Sequence, residues 1–243
     1  MHSKNETVAL GWCDNGMVDG KFTEGLFFTY IHHKGLIVDG IRAQGNQIGR
    51  QRQVLLDEWY KQNNTDWLLW VDSDIVLTPQ VFQMLWDVAD KATKPVVTGV
   101  YFISKENEQT MMAPFPCLFM DTDDDYNIAY VHPLPANEVI RVDSAGMGLV
   151  LMHRSVVTKL KEKFPDESVF AEQPGIGVKF VSEDIVFFRK LKEAGVPVHA
   201  HTGARVKHMK RFALDENYYH NYWQIHALVM EERKRNDAVS KLV

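Results

Sequence analysis

The chain has 243 residues, 45% of them hydrophobic and 24% charged, with a formal net charge of −5. That content fills a proper core and provides no global basic footprint for nucleic acid as the main partner, although local patches stay open. Two distant cysteines, Cys13 and Cys117, read as free thiols of a reducing compartment. A polar start, "MHSKNET", and no apolar run near the roughly 18 residues of a membrane span predict a soluble, cytoplasmic protein with no membrane partner.

Short apolar runs alternate with segments of helical period, which predicts an α/β domain. "TVALGW" (7–12) and "GLIVDG" (35–40) read as buried strands, with a helix over "FTEGLFFTYIHH" between them. A helix follows over 47–62, with Ile48, Leu55 and Trp59 on one side, and then the strand "WLLWV" (67–71). "TPQVFQMLWDVADKA" opens a helix with Thr78 as N-cap and Pro79 at its first position. "PVVTGVYF" (95–102) is another strand, and 104–138 reads as irregular loops with a short hairpin. "GLVLMHRSVVTKL" (148–160) is a strand running into a helix capped by Ser155. "SEDIVFFRKLKEAG" (182–195) is a helix with Ser182 as N-cap and Gly195 just past its end. "PVHAH" is a short strand, and 217–237 is a helix, aromatic early and charged late.

Within "LLWVDSDIVL" (68–77), Asp72 and Asp74 interrupt an apolar run. Buried carboxylates need partners. They stand at the carboxyl end of a strand, where open α/β sheets bind ligands, and the period of two aims both the same way. Convergent carboxylates repel unless a divalent cation joins them, which points to Mn²⁺ or Mg²⁺ held against substrate phosphates. The plainer alternative makes Asp72 a turn residue and Asp74 a surface acid.

"LLWVDSDIVLTP" resembles the Asp-x-Asp element of GT-A nucleotide-sugar glycosyltransferases, family-2-like. Further landmarks follow in the same order. "SAGMGLVLMHRSV" (144–156) is similar to the glycine-bearing loop beside the donor sugar, "SEDIVFFRKLKEAG" to the helix carrying the catalytic base, and "RVKHMK" (205–210) to the segment whose histidine completes the metal shell. Upstream, "GNQIGRQRQVLL" (45–56) resembles the Gly-rich, Arg-bearing helix start, with Gln53 where asparagine is usual. The resemblance spans roughly residues 7–210. It implies a Rossmann-like GT-A fold, a mixed central sheet flanked by helices over 1–212, with a helical extension at 213–243. It also implies a hexosyltransferase using a nucleotide-sugar donor, with UDP-sugar first.

On that resemblance, Asp184 is the general base and Glu183 orients the acceptor; the bland reading makes both acids helix-dipole partners. Asp72, Asp74 and His208 hold the metal, His208 being favoured over His199 and His201. Gly146, Met147 and Gly148 lie against the donor sugar, the glycines otherwise marking a turn. The nucleotide side is assigned to Trp12, Asp39, Arg50, Ser73 and Lys210. Trp12 as core filler, Asp39 as a turn residue and Arg50 as helix surface are the competing readings. The acidic stretch 121–127 lacks the glycine and glutamate of a calcium loop. Tyr218, Tyr219, Tyr222 and Trp223 pack on the domain, form an oligomer contact, or line the acceptor site. Two other functions compete: a metal-dependent nucleotidyltransferase and a non-catalytic sugar- or nucleotide-binding protein. The acceptor is open between a protein, a glycan and a modified nucleic acid base.

Overall fold

The computed structural model describes residues 6–107, 110–122, 128–171, 173–174, 180–210 and 214–240. β1 (Val8–Asp14) leads through α1 (Gly20–His32) to β2 (Ile37–Gln44), then through α2 (Ile48–Gln62) to β3 (Trp67–Val71). β4 (Ile75–Val76) and α3 (Pro79–Val88) precede β5 (Val96–Val100). The stretch read as irregular holds β6 (Phe102–Asn107), β7 (Thr110–Pro116), β8 (Leu118–Asp121) and β9 (Ile128–Tyr130). Next come β10 (Val139–Val142), β11 (Ser144–Ala145), β12 (Leu149–His153) and α4 (Arg154–Lys163). β13 (Gln173–Pro174), β14 (Phe180–Val181), α5 (Glu183–Glu193), β15 (Val198–Arg205), β16 (Lys207–His208) and α6 (Glu216–Ser240) complete the order.

Seven strands form the central sheet in the order β10-β15-β5-β12-β3-β1-β2. β1 pairs in parallel with both β2 and β3, and β5 in parallel with β15. β12 runs antiparallel between β3 and β5, so the sheet is mixed. Every residue of β3 and β5 is buried, because helices cover both faces. α2, α4 and α5 pack together on one face, where Leu55, Trp59, Val157, Leu160, Phe187 and Leu191 meet strand residues such as Leu68 and Trp70. α1 and α3 contact each other and cover the opposite face through Phe22, Phe82 and Leu85.

Local signals explain the helix ends, with two corrections. Thr78 caps α3 by accepting the Val81 amide, and Pro79 stands in its first turn. The cap of α4 is His153, not Ser155: its Nδ1 accepts the Ser155 amide at 3.1 Å. Ser182 holds the N-cap position of α5 but donates its hydroxyl to Asp184 instead of accepting an amide. Gly195, φ 68°, ends that helix in the left-handed region that glycine tolerates.

The residues up to Phe102 with Pro116–Met209 form one compact unit, which contains the sheet. A second gathers Ile103–Phe115 with the chain from Lys210 onward, including α6. No helix among the described residues is long and apolar enough to cross a membrane.

Candidate active site

β3 ends at Val71 and the chain turns at once. The Asp72 amide donates to the Gly148 carbonyl (3.0 Å) and the Ile75 amide to the Asp72 carbonyl (2.9 Å), closing a tight turn over 72–75. The alternation that would aim both aspartates one way therefore stops at Asp72. Each carboxylate also has a protein partner of its own.

Asp74 is met by His208. β16 pairs with β4 so that His208 lies opposite Ile75, and the Met209 amide donates to the Asp74 carbonyl at 2.7 Å. His208 Nε2 then stands 3.0 Å from Asp74 Oδ2, while Nδ1 is 3.0 Å from the Phe102 carbonyl. A carbonyl only accepts, so Nδ1 carries the hydrogen. In the neutral ring the Nε2 lone pair faces a carboxylate, an arrangement satisfied when a proton or a metal ion lies there. Metal-ligating histidines commonly have their other ring nitrogen donating to a carbonyl in this manner.

Asp72 is met by Arg52. Arg52, only 4% exposed, directs Nη2 at both Asp72 oxygens (3.1 Å each) and Nη1 at Glu183 Oε1 (2.5 Å). Burial works against the charge, yet Asp72, Glu183 and Asp184 together raise the Arg52 pKa above its ordinary value. The arginine is locked as a cation among three carboxylates. Arg52 Nε is buried and without a hydrogen-bond partner among the described residues.

Asp184, in the first turn of α5, fixes one oxygen: Oδ1 accepts the Ser182 hydroxyl and the Ile185 amide. Gly49 lets the start of α2 approach this corner. A Cβ there would stand 2.5 Å from the Phe170 carbonyl and 3.3 Å from Glu183 Cβ.

Tyr101, just past β5, fills the floor. Its ring meets the His208 ring edge-on at 5.0 Å, and its hydroxyl accepts the Gly148 amide at 3.2 Å. Burial, with Cys117, Asp72 and Asp184 nearby, raises its pKa well above the usual phenol range. A Cβ on Gly146 would meet the Tyr101 oxygen at 2.0 Å, and one on Gly148 the ring at 2.7 Å. The space freed by both glycines is thus taken by Tyr101. Met147, 1% exposed, belongs to the core cluster, and the loop around it is buried as well.

Of the remaining candidates, Trp12 and Asp39 line one cavity and the others lie elsewhere. Ser73 sits in the Asp72–Ile75 turn, its carbonyl accepting the Asp19 amide at 3.5 Å. Trp12 donates to Asp14 and lines a cavity of about 660 Å³ with Phe22, Tyr30 and Arg42. Asp39 does not end its strand: β2 continues to Gln44, and Asp39 pairs with Ala9 near the start of β1. Its carboxylate accepts from Asn64 at 2.7 Å, far along the strand from the carboxyl end. Arg50 is exposed and lines a different cavity, of about 610 Å³, with Gly49 and Phe170. Lys210 begins the second unit. His199 and His201 lie on β15, where burial lowers both pKa values. Tyr219, Tyr222 and Trp223 are exposed residues of α6. Residues 123–127 of the acidic stretch lie outside the described residues.

Arg52 and Tyr101 escaped the sequence reading. Arg52 was findable: it shares a face of α2 with Ile48, Leu55 and Trp59, and a charge on a buried stripe demands partners.

No family model matches the chain, and no curated protein does. Among solved structures, A197 from STIV aligns over 84% of this chain and 86% of its own, at 16% identity and a TM-score of 0.52. GalNAc-T7, crystallised with UDP, GalNAc and Mn²⁺, aligns at 12% identity and a TM-score of 0.56. The fold is of the GT-A type. The match covers 85% of this chain but 43% of GalNAc-T7, so the chain spans less than half of that protein's length. In this GT-A domain, the four candidate positions Asp72, Asp74, Glu183 and His208 lie at one end of the sheet, Asp72 and Glu183 joined by Arg52 and Asp74 by His208.

Proposed function

We propose that the chain is a metal-dependent glycosyltransferase that moves a sugar from a nucleotide-diphosphate donor, UDP-sugar first, to an acceptor hydroxyl. The observation that carries this reading is the His208–Asp74 pair, whose Nε2 lone pair faces a carboxylate at 3.0 Å beside the Asp72–Arg52–Glu183 bridge. Among the described residues no three His, Cys, Asp or Glu side chains form a ready metal cluster. Asp74 and His208 nevertheless supply the oxygen and nitrogen donors that Mn²⁺ or Mg²⁺ accepts, and donor phosphates and water complete such shells. When bound, the ion supplies Lewis-acid stabilisation of the leaving diphosphate.

The chain's own groups do the rest. Ser182 and the Ile185 amide pin Asp184 Oδ1, leaving Oδ2 to accept the proton of the acceptor hydroxyl as its oxygen attacks the anomeric carbon. With Asp184 as the base, the transfer in this reading is inverting. Asp72 carries its charge at the same end, oriented by Arg52, and Glu183 helps orient the acceptor. Gly146, Met147 and Gly148 keep their assignment to the donor-sugar side, as a buried loop whose Gly148 amide is held by Tyr101. Trp12, Asp39, Arg50 and Ser73 are assigned to the nucleotide, Trp12 and Asp39 lining one cavity; Lys210 belongs to the second unit.

The test is UDP release from a panel of UDP-sugars with Mn²⁺. Turnover that is lost in Asp74→Ala supports the reading, and release of pyrophosphate instead of UDP contradicts it.

A further inference from the structure

We infer, on the strength of the transferase reading above, that Arg52 is a positioning residue that couples the donor end of the site to the base-bearing helix. Its fork joins two elements: Nη2 grips Asp72 at the end of β3, and Nη1 grips Glu183 in the first turn of α5. Arg52 itself is carried on a third element, α2, and its depth is fixed by Gly49, three residues earlier, whose missing side chain lets α2 lie against Phe170 and Glu183. A planar, always-charged fork suits this task, because two carboxylates on separate elements are held at one spacing by one rigid group. Asp184, adjacent to Glu183, inherits that spacing. The turn that carries Asp74 inherits it from the other side.

Two backbone amides report on the coupling without substrate. The Ile75 amide closes the Asp72 turn, and the Val186 amide, donating to the Ser182 carbonyl, closes the first turn of α5. In Arg52→Ala, hydrogen exchange at both amides is expected to rise together, by about tenfold or more, as the two elements lose their common anchor. Exchange that changes at one amide alone, or at neither, overturns the coupling. Should that variant fail to fold, Arg52→Lys, which keeps the charge but lacks the fork, gives the same readout.

With UDP-sugar and Mn²⁺, Arg52→Ala is expected to lose about 100-fold in kcat, with donor KM changed far less. Added guanidinium chloride at non-denaturing concentration should restore part of that kcat. Parallel loss of kcat and melting temperature without rescue would mean a purely structural arginine. Wild-type protein that turns over no donor defeats the transferase reading, while the exchange measurement still decides the coupling.

Discussion

Asp184 is where the proposed chemistry is most exposed to test. Replacing it with asparagine keeps the size and one hydrogen-bonding oxygen but removes the proton acceptor. The expected outcome is a loss of about 10²–10⁴ in kcat, with UDP and Mn²⁺ affinity preserved in titration calorimetry. Asp14 offers a second residue-scale test, read out as stability. Its carboxylate is gripped by Arg42 through two contacts of 2.6 Å, and this pairing, joined by the Gly16 amide, holds its pKa below the usual carboxylate range. A depressed folded pKa means stability that is present above pH ~4 and lost as pH falls through the folded value. Asp14→Asn should therefore cost about 1–3 kcal/mol in urea unfolding at neutral pH, with the gap to wild type closing in strong acid. At this scale the sequence was legible in part. The two aspartates announced themselves by interrupting an apolar strand, and the demand for a partner was sound. Both partners arrive from distant elements, Arg52 from α2 and His208 from β16. His208 was placed by motif order and Arg52 was passed over, although its place on the buried stripe of α2 was readable.

The elements make steric predictions of their own. Gly49→Ala would drive a methyl to 2.5 Å from the Phe170 carbonyl, a backbone atom that cannot swing aside. Separation of α2 from α5 should follow, with about 1–3 kcal/mol lost in denaturant unfolding and lower activity. Gly146→Ala meets the Tyr101 hydroxyl at 2.0 Å and should likewise destabilise the wild-type loop. Pairing it with Tyr101→Phe, which removes that oxygen, should recover part of the loss if Tyr101 is the obstacle. Element types were well marked by periodicity, and β3 was located without error. Thr78 and Gly195 marked helix ends because their roles are local. Strand ends were poorly marked wherever pairing across the sheet decides them. β2 runs on to Gln44 beside β1, and β15 to Arg205 beside β5, although neither tail is strongly apolar. The same holds for β8 and β9, which are strands because β8 pairs with β9 on one side and with β11 on the other.

For the whole molecule, alternation of apolar runs and helices pointed correctly to α/β, and the ordered motifs to a GT-A sheet. The reversal of β12 between β3 and β5 was not readable, since a buried strand looks apolar whichever way it runs. Burial also pushes both thiols, Cys13 and Cys117, up to about 12, so neither should react with a thiol reagent near neutral pH until the protein unfolds. Counting reactive thiols before and after denaturation checks this: none, then two. The most direct test of the central claim is UDP release in the presence of Mn²⁺, compared between wild type, Asp74→Ala and Asp184→Asn, with Mn²⁺ binding measured alongside. Release of UDP by the wild type alone, with the ion bound by wild type and Asp184→Asn but not by Asp74→Ala, is the expected result. Equal turnover in all three proteins, or Mn²⁺ binding indifferent to Asp74, would contradict it.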